Sequence, residues 1–362
     1  VKEATVTSAL ARLAAQQIER NGGWLPFDRY MALALYAPGL GYYANASRKF
    51  GALPESGSDF VTAPELTPLF GRALAQQVGE ALRVTGTHEV YEFGAGSGAL
   101  AEQLLDALGE SVKRYTIVDL SATLRQRQQQ KLARFGDRVQ WVSELPEQMA
   151  GVVVGNEVLD AMPVKLLVRK QGVWCERGVT VAEGKFAWAE RETDLRPPVK
   201  IPGDHDYLTE IHPQAEAFMR TLADRLQQGA AFFLDYGFPE SEYYHSQRNT
   251  GTVMCHRGHM ADPDPLEAPG EKDITAHVNF TGIALAAQDA GLPVLGYTSQ
   301  ARFLFNCGIL PMLDEASLVD RTAGQRLVNE HEMGELFKVI AFHKGEFWDA
   351  QGFRAGDRTG RL

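Results

Sequence analysis

The chain has 362 residues, 44% of them hydrophobic and 23% charged, enough to bury a large core in one or two domains. Its formal net charge of −10 argues against a sequence-independent nucleic-acid binder, because neutralising phosphates needs a basic face. Cys175, Cys255 and Cys307 are too few and too far apart for a disulfide framework, and no uncharged apolar run reaches the roughly 18 residues that span a bilayer. A reducing, cytoplasmic compartment and no membrane insertion are expected.

Residues 1–86 read as an N-terminal helical cap. Apolar residues three and four apart mark helices over 6–18, 27–36 and 65–82, the first stopped by Asn21-Gly22-Gly23. Between the second and third runs a long loop ending in Asp59-Phe60-Val61-Thr62-Ala63-Pro64, of the length that is functional or disordered. From residue 87 short apolar runs alternate with amphipathic ones, which predicts parallel strands joined by helices. Strands are expected near 89–93, 115–119, 139–143, 151–155 and 230–235. Two more, at 293–298 and 337–343, complete a seven-stranded, Rossmann-like α/β sheet. Its first part covers 87–163 and its second 206–344. The insertion 164–205 holds three β-like runs separated by Gln171-Gly172 and Glu183-Gly184, an antiparallel meander. Its Trp174, Phe186 and Trp188 are either core or an exposed partner surface. A polar segment rich in Pro and Gly, 238–276, reads as a lid or binding loop, and 345–362 as a loosely held tail.

Residues 92–98, E-F-G-A-G-S-G, stand between a predicted strand and a predicted helix. Such glycines allow a tight turn and close backbone approach to a ligand, and the helix start offers free N–H groups to an anion. The spacing G-x-G-x-G differs from the G-x-G-x-x-G of dinucleotide sites, although a dehydrogenase stays open as an alternative. In methyltransferases the anion is the methionine carboxylate of S-adenosyl-L-methionine. Asp119 ends the second strand about 25 residues on, where a carboxylate accepts from ribose hydroxyls. The expected cofactor contacts are Glu92, Gly94, Ala95, Gly96, Gly98, Asp119, Leu120 and Asn156.

Ligands of doubly wound sheets bind beside the carboxyl ends of strands, so Asn156-Glu157 and Asp160 are expected at the reacting end of the cofactor. Methyl transfer from a sulfonium needs an aligned nucleophile more than strong acid–base help. An arginine acceptor is a permanent cation, which two carboxylates such as Glu157 and Asp160 can orient. Alternatively, Asp160 caps a helix starting at 161 or 162 and Glu157 is simply solvated. Asp235 is read as substrate-side or structural, and His277 as a base after transfer. Cys255-His256 with His259 lacks a fourth ligand and the usual spacing, so no metal is expected.

These residues resemble the MidA-like methyltransferases, whose mitochondrial members act in respiratory complex I assembly. The resemblance spans about residues 20–344. It rests on Gly41-Tyr42-Tyr43, the 59–64 run, the 92–98 loop, Asn156-Glu157 with Asp160 and Pro163, and Asp235-Tyr236-Gly237. Arg248 with Gly251-Thr252, and Asp273-Ile274-Thr275 with His277 and Phe280, complete it. It implies a class I methyltransferase fold, S-adenosyl-L-methionine as cofactor, and a loop in which Phe60 and Thr62 pack over that cofactor. For the mitochondrial members, in the matrix, it implies symmetric dimethylation of an arginine in a complex I subunit. Asp119 stands where a glutamate is common in the family. An arginine-bearing protein is therefore the expected partner. Another protein or small-molecule acceptor, or an assembly chaperone without turnover, are the alternatives.

Overall fold

The computed structural model describes residues 8–45, 62–119, 121–257 and 260–362. Helix α1 (Ala9–Arg20) starts where the Ser8 hydroxyl accepts from Ala11 N, and it buries Leu10, Ala14 and Ile18 along one face. Helix α2 (Phe27–Tyr36) packs beside it. The helix expected over 65–82 is broken: a single turn at Ala63–Leu66 stops before Thr67-Pro68, and α3 (Leu69–Thr85) begins anew. Proline has no N–H to continue a helical ladder, which explains the break.

Next come β1 (Glu89–Phe93), α4 (Ala99–Leu108), β2 (Arg114–Val118), α5 (Ala122–Lys131), β3 (Val139–Val142) and β4 (Met149–Asn156). The insertion supplies β5 (Lys165–Lys170), β6 (Val173–Ala182) and β7 (Lys185–Glu192), and just past its expected end comes a strand not foreseen, β8 (Tyr207–Ile211). Then follow α6 (Pro213–Arg225), β9 (Leu226–Phe238), β10 (Met254–Arg257), β11 (Met260–Asp262) and β12 (Asp273–Thr275). Helix α7 (Phe280–Asp289), β13 (Val294–Ser299) and β14 (Phe337–Lys344) complete the main elements.

The central sheet runs β13-β14-β9-β4-β1-β2-β3, with β14 antiparallel to both its neighbours and the other pairings parallel. The expected seven strands are all present, and an eighth of two residues, Val278–Asn279, adds to β9. Both faces are buried. Val152 and Val154 of β4 join α3 and α4 in one core, while Val153 joins Met219, Leu222 and Ile283 in the other. That alternation is why these strands read as continuous apolar runs. The order in which successive strands are added reverses between β1 and β4, the place where doubly wound sheets open a crevice.

The meander lies in a separate five-stranded sheet that takes in β8 and a two-residue strand, Leu25–Pro26, from the N-terminal region. Phe186 packs edge-on to Tyr30, and Trp188 lies 5.4 Å from Phe27. These aromatics therefore fasten the meander to α2. The 238–276 segment is also more ordered than its composition suggested: β10 sits between β11 and β12 in a small antiparallel sheet.

The expectation of a loose tail is wrong. Phe353 is buried against Phe303, Gln351 N donates to Glu80 at 2.9 Å, and Gly352 N donates to Gln77. Among the described residues, no helix is long and apolar enough to cross a membrane.

Candidate active site

After β1 the chain turns through Gly94 (φ 61°) and Gly96 (φ 53°), a region costly for residues with a Cβ. A Cβ at 94 would also come within 3.2 Å of Val158 Cγ2, so the glycine loop nestles against the end of β4. Just before the turn, Glu92 is 2% exposed and accepts from the Tyr115 hydroxyl at 2.7 Å. Burial raises its carboxyl to about 8.

Asp119 follows β2. One of its oxygens accepts from Ser121 N and the other from Gln128 Nε2, each at 2.8 Å. The same Gln128 nitrogen donates to Gly96 O at 3.0 Å, while Trp141 Nε1 donates to Gln128 Oε1 at 3.0 Å. Gln128, fully buried on α5, thus joins the acid to the glycine loop. Sequence reading missed it, although Leu124, Gln128 and Leu132 keep the four-residue spacing of an inward helical face.

At the end of β4, Asn156 Nδ2 donates to Glu157 Oε1 at 3.2 Å, and Glu157 adopts φ 52°, unusual for a residue with a side chain. Asp235 on β9 fixes this turn. Its Oδ2 accepts from the backbone N–H groups of Val158, Leu159 and Asp160 at 3.1, 2.9 and 3.3 Å, and its Oδ1 from Tyr236 N. The structural reading of Asp235 holds. No helix begins at 161 or 162, so the capping reading of Asp160 fails. Burial, reinforced by repulsion from Asp160, raises Glu157 to about 8. Burial also raises Asp160 to about 6, against a hydrogen bond from Tyr236 that pulls the other way. Among the described residues, Asp160 Oδ1 and Asn156 Oδ1 are buried without a hydrogen-bond partner.

The glycine loop, Asp119 and the end of β4 border one cavity of about 1350 Å³. Of the expected residues, Thr62, Glu92, Gly94, Ala95, Gly96, Asp119, Asn156, Glu157 and Asp160 line it. Thr62 precedes the short turn whose Glu65 accepts from Ser97 of the glycine loop. Gly98 does not line the cavity; it backs onto Gln128 instead. Phe60 and Leu120 lie outside the described residues.

His277 is not among the lining residues either. Its N–H donates to Thr252 Oγ1, its ring packs edge-on to Tyr236 at 5.2 Å, and burial lowers its pKa to about 4. The role of base after transfer therefore finds no geometric support. Among the described residues, the imidazole that lines the cavity is His256; Tyr36, Tyr43, Tyr236 and Asp273 line it as well.

Residues 71–298 match a family model described as "Putative S-adenosyl-L-methionine-dependent methyltransferase". The chain belongs to this methyltransferase family. A crystal structure from Burkholderia thailandensis, bound to S-adenosylhomocysteine, is 50% identical with a TM-score of 0.94, covering 98% of this chain and 96% of that one. Among curated relatives, the Caenorhabditis elegans "Protein arginine methyltransferase NDUFAF7 homolog, mitochondrial" is 27% identical, over 92% of this chain and 86% of its own length. The Homo sapiens "Protein arginine methyltransferase NDUFAF7, mitochondrial" is 26% identical, over 89% and 80%. The methyltransferase takes S-adenosyl-L-methionine as its cofactor. Its cavity suits that group: turning glycines at a helix start, a carboxylate after β2, and the orphaned Asn156 oxygen beside them.

Proposed function

We propose that this methyltransferase methylates the guanidinium of an arginine carried by a protein. The observation that carries the reading is the pair of carboxylates on the cavity wall after β4, half-buried Glu157 and buried Asp160. Burial raises the proton affinity of both, and a cationic acceptor would offset that cost. A guanidinium stays protonated and meets carboxylates through paired N–H donors, so it answers that demand better than a neutral hydroxyl or amide.

In this reading the backbone at 94–98 and the start of α4 take the methionine carboxylate, and Asp119 takes the ribose hydroxyls. Asn156 contributes its amide, and Thr62, with Phe60, approaches from the opposite side. When bound, S-adenosyl-L-methionine supplies an electrophilic methyl group on its sulfonium. Glu157 and Asp160 hold one guanidinium nitrogen in line with that methyl. The relatives named as protein arginine methyltransferases support an arginine acceptor, and the family resemblance makes a respiratory complex I subunit the acceptor to try first.

The variants Glu157→Gln and Asp160→Asn test the clamp. Each removes a charge-assisted bond worth about 1.5–3 kcal/mol, so turnover should fall roughly 10–100-fold with S-adenosylhomocysteine affinity nearly unchanged. Full turnover in both variants contradicts the reading.

A further inference from the structure

Methylation of a guanidinium leaves one proton too many. The nitrogen lone pair forms the N–C bond while the C–S pair returns to sulfur, so a monocationic acceptor and a sulfonium give a neutral thioether, a monocationic product and one released proton. Glu157 and Asp160 are not free to take that proton, because the methylated product is still a cation that needs their charge. A separate, neutral acceptor facing the same space is required.

Strand β10 pairs antiparallel with β12 in the register Met254↔Thr275, Cys255↔Ile274, His256↔Asp273. Residues opposite one another share a face of the sheet, and successive residues alternate. Cys255 and Ile274 are buried in the core beneath α2. His256, Asp273 and Thr275 therefore emerge on the other face, and all three line the cavity. Asp273 is 3% exposed, accepts from the Tyr43 hydroxyl at 2.8 Å, and acts electrostatically on Glu157 and on Tyr36. The histidine and its neighbouring acid thus look onto the space held by the carboxylate clamp.

We propose that His256, beside Asp273, accepts the proton that the acceptor nitrogen sheds on methylation and passes it to solvent. This inference rests on the cationic-nitrogen reading of the acceptor. Burial lowers the pKa of His256, which leaves the imidazole neutral and able to accept near pH 7. Asp273, its cross-strand partner on the same face, is the carboxyl group placed to offset the charge once the imidazole is protonated. The other titratable groups described along the cavity are Tyr36 from α2, Tyr43 from the following turn, Glu157, Asp160 and Tyr236 from the core, and Glu65, Glu92, Asp119 and Glu144. The ion pair Arg257–Glu271, and Lys272 with Asp262 and Glu267, belong to the same small sheet and its connecting loop. His277 cannot substitute, since its ring lies behind Tyr236 and Phe238.

The test measures single-turnover methyl transfer by wild type, His256→Gln and Asp273→Asn across pH, alongside S-adenosylhomocysteine affinity as a check of the fold. His256→Gln should slow transfer roughly 100-fold and erase the acid-side fall of the rate profile. Asp273→Asn should move that fall to lower pH. A His256→Gln rate within threefold of wild type at every pH overturns the proposal.

The labelled amino acid after hydrolysis separates this failure from failure of the arginine reading. Label outside arginine with His256→Gln still slow removes only the acceptor assignment; label in methylarginine with an unimpaired variant removes only His256. A readout without turnover uses histidine-labelled protein with S-adenosylhomocysteine, titrated with ethylguanidinium and followed by NMR. The His256 resonances, assigned by their loss in His256→Gln, should shift, and no shift also overturns the proposal.

Discussion

Gln128 Nε2 stands between Asp119 Oδ2 at 2.8 Å and Gly96 O at 3.0 Å, so one buried amide sets the distance between the two halves of the proposed cofactor site. Replacing it with Leu leaves both oxygens without that donor, at a cost of about 1–3 kcal/mol. Gln128→Leu should therefore weaken S-adenosyl-L-methionine binding roughly tenfold by calorimetry. Gln128→Glu, which sets a second carboxylate against Asp119, should weaken it further. Unchanged affinity in both variants contradicts the role given to this amide.

Asp235 organises the turn that carries Glu157 and Asp160. Asp235→Ala strands the N–H groups of Val158, Leu159 and Asp160 in a buried place, where an unmet donor costs about 1–3 kcal/mol. A fall in melting temperature of several degrees is expected, together with loss of transfer. If the variant melts like wild type, Asp235 is not the anchor.

These acids also give stability a pH dependence. Glu157 and Asp160 rise in the fold to about 8 and about 6, from ordinary values of 4.5 and 3.8. Between the ordinary and the raised values the folded chain holds protons that the unfolded chain has lost, so their contribution is complete at low pH and disappears as pH rises. Glu92, also raised to about 8, adds to the same trend. Subtracting Glu157→Gln from wild type isolates one group. The melting temperature of the variant should fall less steeply than that of wild type as pH climbs from 4.5 to about 8. Parallel curves contradict the raised Glu157. Ethylguanidinium binding near pH 7 should release protons, seen as a buffer-dependent calorimetric enthalpy.

Phe353 holds the tail against the sheet. Its ring lies 5.5 Å from that of Phe303, and it fills the space where a Cβ on Gly296 would be 2.3 Å away. Phe353→Ala should cost about 3–5 kcal/mol, read from denaturant midpoints. A change below about 1 kcal/mol, the range of ordinary surface substitutions, would show that the tail contributes little.

The parts of the site legible in the sequence are those built from contiguous residues. The 92–98 loop and Asn156-Glu157 each follow a short apolar run, and the strand-to-helix rhythm places both at carboxyl ends of the sheet. Gln128 was harder to see because α5 is polar on nearly every side, with only Leu124 and Gln128 turned inward. His256 was harder still. Its place depends on pairing with Asp273, 17 positions away, through two short antiparallel strands inside a polar segment. His277 misled for the converse reason. It adjoins Asp273-Ile274-Thr275 in sequence, but the chain turns there to lay Val278–Asn279 on β9, which carries the ring to Tyr236 and Phe238. The tail shows one aromatic anchor and no periodicity, so its docking onto Glu80 and Gln77 was invisible in composition.

The central claim, a guanidinium acceptor held by Glu157 and Asp160, is tested most directly by finding where the methyl group goes. The protein is incubated with methyl-labelled S-adenosyl-L-methionine and a lysate from cells lacking this methyltransferase, and the modified proteins are hydrolysed to amino acids. The account predicts that the label co-migrates with methylarginine and is lost with Glu157→Gln. Label in any other amino acid, or in methylarginine to the same extent with Glu157→Gln, would contradict it.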